Sequence, residues 1–266
     1  MQIVAKASDT IRRKLSLGKN TIPDTLVILG SGFKSFAGKL KVTSQIDLAS
    51  IPGFPVPKVQ GHGSSLLVGS VGKKKVCVLT GRVHMYEGYS AAEVVFSLRV
   101  LAVLGVKRII VTNASGSLDK KIKPGSIVVL EDQINLTGQS CLTGAPGEWP
   151  VFVDMGAAYD LKWRNAILKL NSRLISGVYV GVLGPAYESP AEAKMFARLG
   201  GDIIGMSTVQ ETLAARQLGL QVAGISFVTN MSAGGGLSHA DVLALARKNE
   251  NKLAVLLTQI LNISSP

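Results

Sequence analysis

Residues 81–89 gather several chemically active side chains in the order Gly-Arg-Val-His-Met-Tyr-Glu-Gly-Tyr. They follow the apolar run 76–80, which is typical of a buried strand. Because open α/β sheets bind ligands at the carboxyl ends of their strands, we expect this loop to lie at a site. The planar fork of Arg82 suits a phosphate, and His84 can bind the same anion or transfer a proton near neutral pH. A surface ion pair between Arg82 and Glu87 is the alternative.

Small polar residues also follow other predicted strands and begin predicted helices. Glycines next to a serine or a histidine let backbone amides approach an anion, and a helix N-terminus favours negative charge. No pair of carboxylates and no cysteine cluster accompanies these donors in the sequence, so we expect an anion and not a metal ion. The side chains expected to line one crevice are those of Ser31, His62, Arg82, His84, Asn113, Ala114, Glu188, Ser207, Asn230 and His239.

The composition indicates a chain that folds without disulfides or metals. Of its 266 residues, 47% are hydrophobic and 17% are charged, so most of the apolar surface can be buried. The two cysteines, Cys77 and Cys141, lie far apart, which fits reduced thiols. The N-terminus lacks the apolar core of a signal peptide, and no apolar stretch has the length of a membrane span. We therefore expect a soluble, cytoplasmic protein with no membrane partner.

The formal net charge of +12 raises the question of a nucleic-acid partner. The basic residues form short, separated groups without interleaved aromatic side chains, at 12–14, 73–75 and 120–123. Nucleic-acid surfaces usually combine charge with stacking aromatics or a basic recognition helix. We expect a solvated basic surface that raises the local concentration of an anionic small molecule, and no nucleic-acid partner.

Alternating helix and strand signals predict an α/β fold, with one domain over residues 1–266 and a central mixed β-sheet flanked by helices. Apolar runs predict strands at 25–29, 65–71, 76–80, 108–112, 126–130, 177–183, 202–206 and 221–229. Caps and periodicity predict helices at 3–18, 90–104, 157–170 and 189–200, and two more beginning at 207 and 238. The aperiodic stretch 135–150 is predicted to be a loop.

Six segments together resemble the ordered motifs of the trimeric purine nucleoside phosphorylases. They are Leu29-Gly-Ser-Gly32, residues 81–89, Thr112-Asn-Ala-Ser-Gly-Ser-Leu118, Gly184-Pro-Ala-Tyr-Glu188, Gly205-Met-Ser-Thr208 and Thr229-Asn230. The resemblance runs from about residue 26 to the C-terminal helix. It implies a homotrimer that uses phosphate to cleave a purine nucleoside reversibly into the free base and (deoxy)ribose 1-phosphate. Phosphate is then a co-substrate, and no other cofactor and no metal is expected.

The resemblance also implies roles for single residues. The implied phosphate site consists of Ser31, His62, Arg82, His84, Asn113, Ala114 and Ser207. The implied nucleoside site consists of Tyr86, Met206 and His239 at the sugar, Glu188 and Asn230 at the base, Tyr187 against the purine, and Phe152 from a neighbouring subunit. Within these sets, His84, Glu188 and Asn230 are expected to be catalytic.

The residue types suit this chemistry. Cleavage of an N-glycosidic bond places positive charge on the sugar and negative charge on the purine, so an anion below the sugar and donors to the base are needed. Asn230 can donate to the purine, and ionised Glu188 can accept from the N1–H of a 6-oxopurine. Adenine presents a bare N1 instead, so inosine and guanosine should be preferred. Taken alone, Glu188 also suits a helix start, and Asn230 a turn after a strand.

Two departures from the family pattern and two alternatives stay open. Tyr187 stands where phenylalanine is common, and the segment 230–239 is short and glycine-rich, which leaves open whether His239 reaches the sugar. A methylthioadenosine phosphorylase would share the phosphate residues, but an aspartate is expected at the position of Asn230. A catalytically silent nucleoside- or phosphate-binding protein is the other alternative. A further hypothesis is that Glu87 orients the imidazole of His84.

Overall fold

The computed structural model describes residues 2–17, 22–58, 63–144, 149–150, 152–233 and 239–263. Within them, a mixed β-sheet lies between helices, which confirms the predicted fold class. The predicted apolar runs become strands, and one further strand, β2, joins them. The strands are β1 (Thr25–Ile28), β2 (Lys41–Asp47), β3 (Ser65–Val71), β4 (Lys74–Leu79), β5 (Arg108–Ser117), β6 (Ile127–Leu136), β7 (Leu174–Val182), β8 (Ile203–Gly205) and β9 (Gln221–Met231).

Helices cover both faces of this sheet. The α-helices are α1 (Gln2–Lys14), α2 (Ala91–Val94), α3 (Phe96–Val103), α4 (Leu161–Leu168), α5 (Pro190–Arg198), α6 (Val209–Gln217) and α7 (His239–Asn262). One apolar core joins α1, α3 and α6 to the sheet, and a second joins α4 and α7 to the opposite face. Among the described residues, none of these helices has the length and hydropathy needed to cross a lipid bilayer.

The strand order is β2-β3-β4-β1-β5-β8-β7-β6-β9, and β9 also pairs with β5. The strands β5, β8, β7, β6 and β9 therefore close into a ring, while β2, β3, β4 and β1 extend it as an open sheet. β1 lies parallel to both β4 and β5, and β5 lies parallel to β9. The carboxyl ends of β1, β5 and β9 consequently meet at one edge of the sheet.

Two strands extend further than their apolar runs. β5 was predicted to end at residue 112 and β9 at residue 229, but they run to Ser117 and Met231. Their polar ends pair with each other, with Asn113 opposite Ser226 and, beyond a bulge after Ser115, Gly116 opposite Asn230. Asn113, Ala114 and Asn230 thus lie within paired strands and not in loops after them.

Several predicted element boundaries were wrong. The helix predicted at 157–170 begins only at Leu161, because the carboxylate of Asp160 accepts from the amide of Trp163 and caps it. The helix predicted from 207 begins at Val209, with Thr208 as its N-cap. The strand β2 was not predicted, because its residues are mostly polar and exposed.

Candidate functional site

A cavity of about 320 Å³ opens at the edge where β1, β5 and β9 end. This volume is in the range of small-molecule sites. The cavity unites segments that are far apart in sequence. Predicted site residues that line it are Ser31, Arg82, His84, Tyr86, Asn113, Ala114, Tyr187, Glu188, Met206, Ser207 and Asn230.

Three predicted site residues are not among those lining the cavity. His62 lies outside the described residues. His239 begins α7, but its side chain is outside the described part of the chain, so its predicted contact with a sugar stays a prediction. Phe152 is 94% exposed and away from the cavity of its own chain.

At the inner, buried end of the cavity, Arg82 forms an ion pair with Glu211 in the first turn of α6. Its Nε and Nη2 donate to the two carboxylate oxygens at 2.8 Å each, and Nη1 donates to the carbonyl of Thr112 at 2.6 Å. Both side chains of the pair are almost fully buried. Burial alone would lower the pKa of Arg82, but the charge of Glu211 outweighs it and raises the pKa. A surface pair between Arg82 and Glu87, the alternative from the sequence, is therefore wrong.

The turn after β1 packs directly on this arginine. The amide of Gly30 donates to the hydroxyl of Thr112 at 2.9 Å, and that hydroxyl donates to the carbonyl of Ile28. A Cβ at Gly30 would lie 2.8 Å from Nη1 of Arg82 and even closer to the carbonyl of Thr112. Glycine is therefore required at position 30, and it sets Ser31 at the cavity wall.

A buried hydrogen-bond network holds the N-cap of α6. Nδ2 of Asn113 donates to Oγ1 of Thr208 at 2.8 Å, and Oδ1 accepts from the hydroxyl of Ser226 at 2.6 Å. Thr208 adopts a left-handed backbone with φ of 69°, which is strained for a β-branched residue. The network retains this conformation, which places the hydroxyl of Ser207 beside that of Thr208, 3.1 Å away. Asn113 thus bonds to protein groups on both sides of its amide.

Tyr179 also supports the segment that contains Ser207 and Thr208. Its buried hydroxyl accepts from the amide of Ser207 at 3.3 Å. Neighbouring Gly205 leaves room for this ring, since a Cβ there would collide with the phenol oxygen. Ser207 is therefore fixed through both its backbone and its side chain.

His84 is bonded to Glu87, in agreement with the hypothesis that this carboxylate orients the imidazole. Oε1 of Glu87 lies 2.8 Å from both the amide and Nδ1 of His84, and Oε2 accepts from the amide of Lys58 at 2.6 Å. The imidazole stacks on Tyr86 with a centroid distance of 4.6 Å. Burial lowers the pKa of His84 despite the contact with Glu87, so the ring is neutral at pH 7. With its proton on Nδ1, toward Glu87, Nε2 is an acceptor.

At the outer end of the cavity, Glu188 and Asn230 approach each other across Gly116. A Cβ at Gly116 would lie 3.0 Å from Nδ2 of Asn230 and 3.6 Å from Oε1 of Glu188. The capping box of α5 is formed by Ser189 and Glu192, so Glu188 is not the helix-start carboxylate. One flat molecule above Gly116 can therefore contact a carboxylate and an amide together.

Two hydroxyl groups that were not among the predicted site residues hold these side chains. Thr229 donates to Oδ1 of Asn230 at 2.9 Å, and one N–H of the amide donates to the carbonyl of Met231 at 3.2 Å, which leaves its other N–H for the cavity. Ser232 donates to Oε1 of Glu188. Glu211 and Thr208 were likewise not predicted as site residues, although both lie in the predicted helix start at 207–211. A carboxylate so close to the predicted anion donor Ser207 was the one signal that could have indicated Glu211.

The cavity combines an anion-binding end with an end that can recognise a planar, polar molecule by hydrogen bonds. Among the described residues, no cluster of three or more histidine, cysteine or acidic side chains is placed to hold a metal ion. Both cysteines are buried free thiols, and burial raises the pKa of Cys141 to about 11.

Known proteins match this chain over most of its length. The model of the phosphorylase superfamily matches residues 24–262. The purine nucleoside phosphorylase of Mycobacterium tuberculosis is 38% identical over 264 residues, which cover 98% of this chain and 96% of that protein. Purine nucleoside phosphorylase 1 of Geobacillus stearothermophilus is 40% identical, with 86% of each chain covered.

Solved structures with the same fold include those of Schistosoma mansoni enzymes. Isoform 2 of its purine nucleoside phosphorylase, in complex with cytosine and ribose-1-phosphate, has a TM-score of 0.92 and 34% identity, covering 99% of this chain and 97% of that one. The S. mansoni purine nucleoside phosphorylase in complex with inosine has a TM-score of 0.89 and 34% identity, covering 100% and 98%. That enzyme has also been solved in complex with adenosine.

Proposed function

The chain belongs to the phosphorylase superfamily and, within it, to the purine nucleoside phosphorylases, and we propose that it cleaves 6-oxopurine nucleosides with phosphate. The observation that carries this proposal is the division of one cavity into an anion-binding end at Arg82 and Ser207 and a carboxylate–amide pair at Glu188 and Asn230. The two ends suit the two substrates of one reaction.

In the proposed reaction, phosphate binds between Ser31, Arg82, Ser207 and the amide of Ala114. One of its oxygens forms a bond to the anomeric carbon while the N-glycosidic bond breaks, and the bonding electron pair moves to the purine. The negative phosphate stabilises positive charge on the sugar. Neutral His84 can accept from the P–OH group of hydrogen phosphate.

At the base, Asn230 donates to the purine as negative charge accumulates there. Thr229 supports this role because it occupies the carbonyl side of the amide. Glu188 accepts from the N1–H of hypoxanthine, or from N1–H and the 2-amino group of guanine. Inosine, guanosine and their deoxy forms are therefore the proposed substrates, and phosphate is the co-substrate without a further cofactor.

The direct test is base release from inosine, guanosine and adenosine, each with and without phosphate. We expect phosphate-dependent cleavage of the first two and slow cleavage of adenosine. Faster cleavage of adenosine or its methylthio derivative would favour the methylthioadenosine phosphorylase alternative. Cleavage of none of them, with inosine still bound, would favour a silent binding protein.

We also propose a homotrimer in which Phe152 contributes to a neighbouring cavity. The exposed ring of Phe152 supports this proposal, because a side chain lent to a neighbouring cavity must project from its own chain. Light scattering should give three times the 28.0 kDa chain mass. Phe152→Ala should raise KM for inosine and leave KM for phosphate unchanged; a fully active monomer would contradict the proposal.

A cytoplasmic role in purine salvage is the proposed context of this activity. The free, buried thiols of Cys77 and Cys141 support a reducing compartment. Cell fractionation and growth on inosine as the purine source, with and without the gene, test the location and the role.

A further inference from the structure

We propose that Ser232 is a specificity-determining positioning residue that holds the carboxylate of Glu188 for 6-oxopurines and against 6-aminopurines. This inference rests on the proposed function, since it concerns the base that the cavity receives. Ser232 follows β9 directly, and its hydroxyl donates to Oε1 of Glu188. Glu188 comes from the other side of the cavity, immediately before the N-cap of α5.

The position of Ser232 is set by the backbone, so its hydroxyl is not a chance contact of a loose side chain. The amide of Ser232 donates to the carbonyl of Ser117 at 2.8 Å, which continues the ladder between β9 and β5 by one residue. Ser117 is itself buried, and its hydroxyl donates to the carbonyl of Asp119. The hydroxyl of Ser232 is therefore presented from a fixed strand end.

Glu188 has no need of this bond for the helix that it precedes. The capping box of α5 consists of Ser189 and Glu192, whose side chains bond to each other's backbone amides. The carboxylate of Glu188 is instead directed to the cavity, where it is partly exposed. A long side chain in this setting has several rotamers, and one hydrogen bond from a fixed donor selects among them.

The selected orientation matters because the two purine classes differ at N1. A 6-oxopurine donates its N1–H to a carboxylate, whereas adenine directs a lone pair at the same place. A carboxylate free to turn could move away from that lone pair and tolerate adenine. Held by Ser232, it stays opposite N1, and the repulsion rejects the 6-aminopurine.

The test compares Ser232→Ala with the wild type for inosine and adenosine. We expect the ratio of kcat/KM for inosine to that for adenosine to fall about tenfold, as for loss of one hydrogen bond to a charged group. KM for phosphate should not change. Because the backbone bond to Ser117 is retained, the variant should fold, which circular dichroism can check.

Three further variants separate positioning from a structural effect. Ser232→Thr keeps a hydroxyl and should retain the wild-type ratio, whereas Ser232→Val, of nearly the same shape, should behave like the alanine variant. This pair decides the question even where the alanine variant does not fold. Ser189→Ala removes the hydroxyl next to Glu188 that accepts from the amide of Glu192 in α5, and it should lower stability without changing the ratio. An unchanged ratio in the valine variant, or the same fall in Ser189→Ala, would overturn the inference.

A binding measurement keeps this inference separate from the proposed function. Calorimetry with hypoxanthine and adenine needs no turnover, and the wild type should bind hypoxanthine more tightly, with the difference reduced in Ser232→Val. Absence of phosphorolysis by the wild type would contradict the proposed function without contradicting the inference on Ser232. Equal binding of the two bases by the wild type would overturn the inference on Ser232.

Discussion

The inner end of the cavity is buried and internally hydrogen-bonded, with Arg82, Asn113 and Thr208 only 4%, 2% and 2% exposed. The outer end is open, since Tyr187 is 42% exposed and Glu188 is partly exposed. Fixed donors stabilise an anion without reorganisation, whereas a base that enters and leaves needs access from solvent. Substitutions at the inner end should therefore change stability and phosphate use together, and those at the outer end should change base choice.

The largest effect is expected for Glu211→Gln, which leaves the guanidinium of Arg82 buried without its charged partner. We expect the free energy of unfolding to fall by about 3 kcal/mol, because breaking a buried ion pair leaves a charge uncompensated. KM for phosphate should rise, because an amide can accept only one of the two bonds by which Glu211 holds the fork of Arg82. Urea denaturation and phosphate titration of the initial rate measure the two effects.

A partly exposed ion pair provides the matched control. Glu131 lies 3.7 Å from Nη1 of Arg164, and its side chain is 39% exposed. Glu131→Gln should cost less than about 1 kcal/mol, the usual range of surface pairs, and leave KM for phosphate unchanged. Equal losses of stability in the two variants would contradict the contrast between buried and open regions.

Asn113→Ala should have the second-largest effect, because it removes the buried amide that bonds to both Thr208 and Ser226. We expect a loss of about 2 kcal/mol, together with weaker phosphate binding as Thr208 and Ser207 lose their support. Asn249→Ala is the control, since that amide donates to the carbonyl of Leu245 in its own helix, and it should change stability by less than about 0.5 kcal/mol. A destabilised Asn113→Ala that still bound phosphate like the wild type would limit Asn113 to a structural role.

At the outer end, Asn230→Asp should change specificity more than stability. A carboxylate accepts from a 6-amino group, so the ratio of kcat/KM for adenosine to that for inosine should rise at least about tenfold. The loss of stability should be smaller than for Glu211→Gln. Base release from both nucleosides measures the ratio; no gain for adenosine would remove Asn230 from base selection.

The smallest effect concerns pH. Because the folded protein lowers the pKa of His84, the unfolded chain binds its proton more readily below the ordinary pKa of about 6.5. Stability should fall as pH decreases from about 6.5, by at most about 1.4 kcal/mol per pH unit from this group. The lowered pKa of Glu87 acts separately, below its ordinary value of 4.5.

His84→Asn tests this assignment because its amide can still donate to Glu87 but does not titrate. The difference in stability between wild type and variant should be flat above pH 6.5 and decrease below it. A constant difference down to pH 5 would show that His84 is not the group responsible.

Most of the fold followed from local patterns, because apolar runs and caps act over a few residues. The capping box at Ser189 and the glycines after β1 are examples that the structure retains. β2 could not be found this way, since its ladder partners β3 while most of its side chains remain in solvent. Long-range pairing, and not hydrophobicity, makes it a strand.

Most residues of the candidate site were predicted, but most of the hydrogen bonds and ion pairs between them were not. The partner of Arg82 is 129 positions away in the chain, and that of Glu188 is 44 positions away. Nothing local indicates such pairs. The left-handed backbone of Thr208 was equally unpredictable, because a β-branched residue adopts it only when tertiary contacts impose it.

The strand β5 pairs with β1, β8 and β9, and so belongs to both the open sheet and the closed ring. Its amides are shared between the ladders on its two sides, so exchange of the whole strand with heavy water requires both sides to separate, and its slowest amides should exchange near the rate set by global unfolding. The floor of the cavity is then among the last parts of the native state to open. Entry of the substrates and release of the products must depend on chain segments outside β5. The anion-binding end should therefore stay formed when no ligand is bound.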